Sequence, residues 1–259
     1  MGKVYAIANQ KGGVGKTTTT LNLGAALQEL GRRILLIDMD PQASLTVCLG
    51  LVPDELEATI YNALLLSIQG ESTSPTLADL ITKTKSGLEL VPANIELSQA
   101  DMDLVREPLG VYALRDVLAP VKDLYDYILI DCPPSLGILT TNALAAADEV
   151  LIPLQADWLA LKGVNLLLKT ISKIQKRANR NLHIAGILLT MADTRTSHAR
   201  EIINSTKEAF NGRIHVFTSV IKLSARLKEA PITGSSVLDY ASDTVGAQAY
   251  RDLAREVIQ

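Results

Sequence analysis

Lys11-Gly12-Gly13-Val14-Gly15-Lys16-Thr17-Thr18 is the stretch that decides the fold. The apolar run Val4 to Ala8 precedes it. A helical pattern follows from Lys16 to Leu30, and Gly31 is placed to stop it. Strand, glycine-rich turn and helix form the context that a phosphate-binding loop needs. Glycines let successive backbone N–H groups turn inward around phosphate oxygens, and the helix N-terminus adds its dipole. Gly12, Gly13, Val14, Gly15 and Thr18 are therefore candidate nucleotide contacts. Lys16 can reach the β- and γ-phosphates as a point charge, and Thr17 offers a hydroxyl to Mg²⁺. Gln10 stands where the strict G-x-x-x-x-G-K-[ST] pattern has its first glycine. Lys11 is a second lysine in a loop whose phosphates need one. It reads either as a surface lysine or as one that leaves its own loop to reach the phosphates of a facing subunit.

Working outward, Ile34 to Ile37 is a second buried strand, followed by Asp38-Met39-Asp40-Pro41-Gln42. Neither of the first two strands alternates, as expected of a parallel sheet covered on both faces. Further strands are expected at Leu88 to Val91, Tyr127 to Ile130, Val150 to Pro153, Ile184 to Leu189 and Ile214 to Phe217. Helices are expected at Ala58 to Leu66, Thr140 to Ala147 and Asp243 to Ile258, with Gln69 to Thr76 as a loop. This alternation predicts a single α/β domain over residues 1–259, with a mostly parallel twisted sheet flanked by helices. Asp131, in Asp131-Cys132-Pro133-Pro134, and Asp40 both follow strand ends, where open α/β sheets place their ligands. An aspartate there is by itself more often a helix cap or turn former. In a chain with a phosphate loop, Asp131 reads as a Walker B-like residue holding Mg²⁺ through water. Asp40 reads as the residue that orients the attacking water.

The 259 residues carry 25 Lys and Arg against 28 Asp and Glu, a formal net charge of -3. The charge is unevenly spread. Between Lys162 and Lys228 stand thirteen basic and three acidic residues, a net of +10 against -13 elsewhere. Such asymmetry points to an anionic partner for one surface. Lys162, Lys169, Lys173, Lys176 and Arg180 fall at helical spacing on one face, with Leu167, Ile171 and Ile174 on another. Arg195, Arg200, Arg213, Lys222, Arg226 and Lys228 add to them. No secretory leader and no apolar run of membrane-spanning length is visible, and two cysteines fit a reduced cytosol.

The combined motifs closely resemble the ParA/MinD family of deviant Walker A ATPases. The resemblance runs through the phosphate loop, Asp38-Met39-Asp40-Pro41-Gln42, Ile130-Asp131-Cys132-Pro133-Pro134, Ile152-Pro153-Leu154-Gln155, Leu188-Leu189-Thr190-Met191 and Glu229-Ala230-Pro231. The short length is similar to that of Soj-like partition proteins. Those often carry Ala-Leu-Glu-Gly where this chain has Ala160-Leu161-Lys162-Gly163, a charge reversal. The resemblance implies ATP and Mg²⁺ as cofactors, a homodimer in the ATP state, and Lys11 on the partner subunit's nucleotide. It implies Lys11, Lys16 and Asp40 in catalysis, Thr17 and Asp131 at the metal, and Met191 and Pro231 near the adenine. It also implies nonspecific duplex DNA, bound through Arg195, Lys222 and Arg226, and a ParB-like or other cargo adaptor that stimulates hydrolysis. The expected location is the cytoplasm, on the nucleoid. MinD-like relatives bind membranes through a basic amphipathic C-terminal helix. The terminal stretch Tyr250 to Gln259 lacks that basic, strongly apolar character, so a packed helix is expected there.

Overall fold

The computed structural model describes residues 2–70, 75–192, 197–210 and 212–259, with only the backbone given for 158–162, 197–200, 202, 204 and 207. The strands are β1 (Lys3–Ile7), β2 (Ile34–Asp38), β3 (Thr82–Lys83), β4 (Glu89–Val91), β5 (Tyr127–Asp131), β6 (Glu149–Gln155), β7 (His183–Ala192) and β8 (Val216–Lys222). The helices are α1 (Lys16–Glu29), α2 (Ser44–Cys48), α3 (Ile60–Gln69), α4 (Ala100–Arg106), α5 (Ala113–Leu118) and α6 (Ile138–Ala146). They continue as α7 (Trp158–Arg177), α8 (Ser197–Phe210), α9 (Ala225–Glu229), α10 (Val237–Tyr240) and α11 (Val245–Ile258).

The strands form one sheet in the order β3-β4-β2-β5-β1-β6-β7-β8. All pairings are parallel except that of the two-residue edge strand β3 with β4. β1 is therefore central, with later strands added on both sides of it. The chain following β1 emerges at the switch in strand order, where such sheets bind ligands. Alternate residues of each strand feed two separate cores. Val4, Ala6, Ile37, Ile130 and Ile152 pack under α3 to α7. Tyr5, Ile7, Leu36, Leu129 and Leu151 pack under α1, α2, α10 and α11. Both faces are apolar, which is why the strands show no polar alternation.

Several boundaries move for identifiable reasons. α3 begins later than expected because Thr59 and Asn62 form a reciprocal cap, and it runs on to Gly70, which takes the left-handed conformation. β6 continues through Pro153 instead of ending there. The side-chain amide of Asn9 donates to the Pro153 carbonyl at 2.7 Å. The missing Pro153 N–H lies on that same side, beyond the last β1 pair at Ile7 and Leu151, so no ladder bond is lost. β8 lies further along than Ile214 to Phe217 because its polar residues are satisfied at the sheet edge. Glu256 of α11 accepts the N–H groups of Thr218 (2.7 Å) and Ser219 (2.8 Å). That carboxylate blocks the exposed edge against another strand.

Gly110 anchors the turn between α4 and α5. A Cβ built there would lie 2.0 Å from the Leu104 carbonyl oxygen, which is backbone and cannot rotate away. Gly110→Ala is expected to destabilise the protein by about 2–3 kcal/mol through overpacking, read as a lower urea midpoint with unchanged slope.

Candidate functional site

The phosphate loop forms as the sequence requires. Gly13 (φ 70°) and Gly15 (φ 86°) take left-handed conformations that a side chain would resist. Gly15 caps α1, so the loop's N–H groups and the helix dipole converge on one point. The loop is pinned from behind by residues far away in sequence. Thr190 of β7 donates its hydroxyl to the Val14 carbonyl at 2.8 Å. Gln10 donates to the Gly163 carbonyl of α7 at 2.8 Å.

The two loop lysines diverge. Lys16 is 7% exposed, and its ammonium donates to the Lys11 carbonyl at 3.2 Å. Burial lowers its pKa, with Asp131, Cys132 and Asp40 pulling the other way. Lys11 turns outward instead. Its ammonium lies 3.1 Å from Gln155 Oε1 and 3.6 Å from Asp157 Oδ2, and 43% of its side chain is exposed. Asn9 thus bonds to β6, Gln10 to α7, and Lys11 to the end of β6 and the turn that follows it.

Asp131 and Asp38 are neighbours across β5 and β2. Both are buried. The Thr17 hydroxyl donates to Asp131 Oδ2 at 2.6 Å, and that of Thr20 donates to Oδ1 at 3.3 Å. Burial raises the Asp131 pKa well above the usual carboxylate range, and the Asp38 charge raises it further. Asp38 is pushed up to about 6 by burial, opposed by hydrogen bonds from Thr46 and the Asp40 backbone. A buried carboxylate facing a hydroxyl at the head of a phosphate loop fits a divalent cation, whose charge would offset this desolvation. Among the described residues no three His, Cys, Asp or Glu side chains cluster to hold a metal. Mg²⁺ usually keeps waters and shares itself with substrate phosphates. Thr17 and Asp131 are the residues that would hold it.

Asp38 closes β2 at the start of the Asp38-Met39-Asp40-Pro41-Gln42 motif. Its carboxylate fixes the following loop by accepting the Thr46 N–H (2.9 Å) and hydroxyl (2.8 Å). Asp40 is half-buried, and its Oδ1 accepts the Gln42 N–H at 3.0 Å. The loop closes through Ala43, a left-handed non-glycine residue (φ 52°). The other such residue among those described is Met191 (φ 53°). Left-handed non-glycine residues cluster at functional sites; Ala43 precedes α2 and Met191 lies at the end of β7.

Met191 lines a cleft with Gly15, Thr18, Thr190, Lys222, Leu227, Lys228 and Tyr250. The cleft adjoins the N-terminus of α1. Pro231 is not among its lining residues. Lys222 is, and it is exposed to solvent. Arg226 is exposed on α9 and pairs with Glu229 at 2.7 Å. Arg195 lies outside the described residues, as do the side chains of Lys162 and Arg200. Lys169, Lys173 and Lys176 are exposed along α7, whose Leu167, Ile171 and Ile174 are buried; Arg180 lies beyond the helix end. Sequence reasoning gave no role to Asn9, Gln155, Asp157 or Thr190. Gln155 and Thr190 did stand inside quoted motifs.

A family model described as an AAA domain matches residues 2–184. Over 258 residues the chain is 44% identical to the sporulation initiation inhibitor protein Soj of Bacillus subtilis, covering 99% of this chain and 98% of that one. A solved structure from Mycobacterium smegmatis, named cobyrinic acid a,c-diamide synthase and bound to an ATP analogue and magnesium, superposes with a TM-score of 0.85. It is 39% identical, over 98% of this chain and 93% of that one. The ATP complex of a McdA variant from Cyanothece gives a TM-score of 0.84 at 26% identity, over 99% and 96% of the two chains. The motifs, the loop geometry and these likenesses agree: the chain belongs to the Soj/ParA family of P-loop ATPases and works with ATP and Mg²⁺.

Proposed function

We propose that this ATPase is a nucleotide-gated dimer that positions or segregates DNA or another large intracellular cargo. ATP with Mg²⁺ draws two copies together, and the closed pair holds duplex DNA through its phosphates without reading bases. A ParB-like or other cargo-bound adaptor stimulates hydrolysis, which opens the dimer and releases it from the nucleoid. In this scheme Lys16 and the N–H groups of Gly12 to Thr18 hold the phosphates, with Thr17 and Asp131 at the metal. Asp40 orients water, and Met191 borders the base. The bound Mg²⁺ supplies charge neutralisation at the phosphates.

The observation that carries the reading is Lys11. It leaves its own phosphate site to Lys16 and stands exposed at the rim, which supports a role on a second subunit. The names of relatives support the cargo class, among them the chromosome-partitioning ATPase Soj of Treponema pallidum. The basic residues along α7 and on α9 support an anionic partner. A MinD-like membrane regulator is the competing reading. Against it, Tyr250, Leu253, Ala254 and Val257 of α11 are buried, so the apolar face of the terminal helix is occupied by the core.

The test is retention of Asp40→Ala protein on nonspecific DNA and on anionic liposomes, with ATP or ADP at one fixed salt. The expected result is DNA retention with ATP alone. Arg226→Ala should weaken it, and so should a rise in salt, because each phosphate contact releases counterions. ATP-dependent retention on liposomes without retention on DNA would move the protein to the membrane reading. Hydrolysis that depends on a small-molecule acceptor and ignores DNA would favour a biosynthetic role like that in the name of the Mycobacterium smegmatis neighbour.

A further inference from the structure

The segment 95–109 is apolar on two sides. Its inner side is ordinary core, with Leu97, Ala100 and Leu104 buried. Outside that core, Ile95 is 57% exposed, Met102 61%, Val105 69% and Leu109 70%. Met102 and Val105 are three apart on α4 and share a face. Ile95 lies on the 3-10 turn leading into that helix, and Leu109 lies just past its end. A helix that is apolar on its solvent side as well as its core side marks a contact surface.

The charges around it are one-sided. Glu96, Asp101 and Glu107 are exposed and Asp103 is half-buried, against Arg106 as the one basic residue of the segment. This arrangement also selects the occupant. In a two-fold contact between copies the same patch meets itself. Its acids would then face one another, and like charges brought together cost free energy. A cationic amphipathic helix satisfies both features, laying an apolar stripe on Met102 and Val105 and its basic flank against the acids.

The patch also lies beside the loop that follows Asp131. Asp101 lies beside Gly137, with its Oδ1 3.7 Å from where a Cβ there would stand. Gly137 ends the loop that follows Asp131 and caps α6. Whatever seats on α4 therefore bears on the loop that leaves the metal-holding carboxylate.

We infer that the outer face of α4 is the docking surface for a cationic amphipathic helix of a partner protein. The inference rests on the adaptor-stimulated ATPase proposed above and names the surface that its adaptor uses. The probe is a synthetic eighteen-residue helix with leucines at i, i+3, i+4 and i+7 and lysines elsewhere. A control peptide carries glutamate in place of lysine. Binding is read by fluorescence anisotropy against the full chain, against Met102→Ser with Val105→Ser, and against Asp101→Asn with Glu107→Lys. The lysine peptide is expected to bind the wild type about tenfold or more tightly than either double variant, a difference of about 1.4 kcal/mol. The glutamate peptide should not bind.

Equal binding of the lysine peptide to all three proteins would overturn the inference. So would concentration-dependent self-association of the wild type, seen by light scattering without nucleotide and abolished by Met102→Ser with Val105→Ser, because the occupant would then be a second copy. The charge variant changes only exposed groups and reports even if the serine variant folds poorly. ATP-dependent DNA retention of both variants is measured alongside. Its survival with loss of peptide binding places the defect in docking, whereas its absence in the wild type would count against the proposed function.

Discussion

Lys16→Ala is expected to abolish turnover, lowering ATP hydrolysis by about a hundredfold or more, the scale seen when one preorganised donor to a developing charge is removed. The argument starts from burial. Lys16 is 7% exposed, and its ammonium is held by the Lys11 carbonyl at the mouth of the loop. Burial disfavours its charge, so the site gains most when phosphate oxygens surround it. Alanine leaves the glycine turns of the loop intact but removes the cation they present. Lys16→Gln separates charge from hydrogen bonding, because the amide keeps donor N–H groups without the cation. Both variants should fail in steady-state hydrolysis and bind a fluorescent ATP analogue more weakly. Full turnover by the glutamine variant would show that charge is not what Lys16 contributes.

Lys11→Ala should have an effect of similar size by a different route. The ammonium's contacts with Gln155 and Asp157 lie at the surface, where an ion pair is worth about 1 kcal/mol or less. Breaking them to engage a second subunit is therefore cheap. A cation supplied in trans to phosphoryl transfer is worth about 10³–10⁵ in rate. The variant should still bind ATP as a monomer, because Lys16 and the loop N–H groups are untouched. It should fail to dimerise with a non-hydrolysable ATP analogue by light scattering, and it should lose stimulated hydrolysis. A dimer that persists without Lys11 would remove the main support for the proposed cycle.

The two variants separate functions that one loop combines. Lys16→Ala removes nucleotide affinity and everything downstream. Lys11→Ala removes the steps that need a second copy. Asp40→Ala, used in the binding test, should hold the ATP state without turnover. Asp38 cannot stand in for Asp40, since its carboxylate is committed to Thr46 and to the Asp40 backbone.

Much of the fold was legible in the chain because it depends on local sterics. Glycines at 13 and 15 announce left-handed turns, apolar runs without alternation announce strands covered on both faces, and Gly31 marks the end of α1. Strand ends were less legible. Pro153 halts a ladder by local rule and does not halt β6, because β1 has already left on its donor side. The strand expected to end at Phe217 runs on through Thr218 and Ser219, whose N–H groups are taken by Glu256 on a distant helix.

The sequence by itself determined a phosphate loop, a parallel α/β sheet and the carboxylates that follow its strands, since each follows from a residue and its near neighbours. Only the tertiary structure decided where Lys11 points, what holds Gln10, why Asp131 is costly to ionise, that Lys222 borders the cleft beside Gly15 and Met191, and that α4 carries an apolar face to solvent. Those facts depend on strand order, which sets β6 beside β1 and β5 beside β2. Such pairings join residues more than ninety positions apart, and no spacing along the chain encodes them.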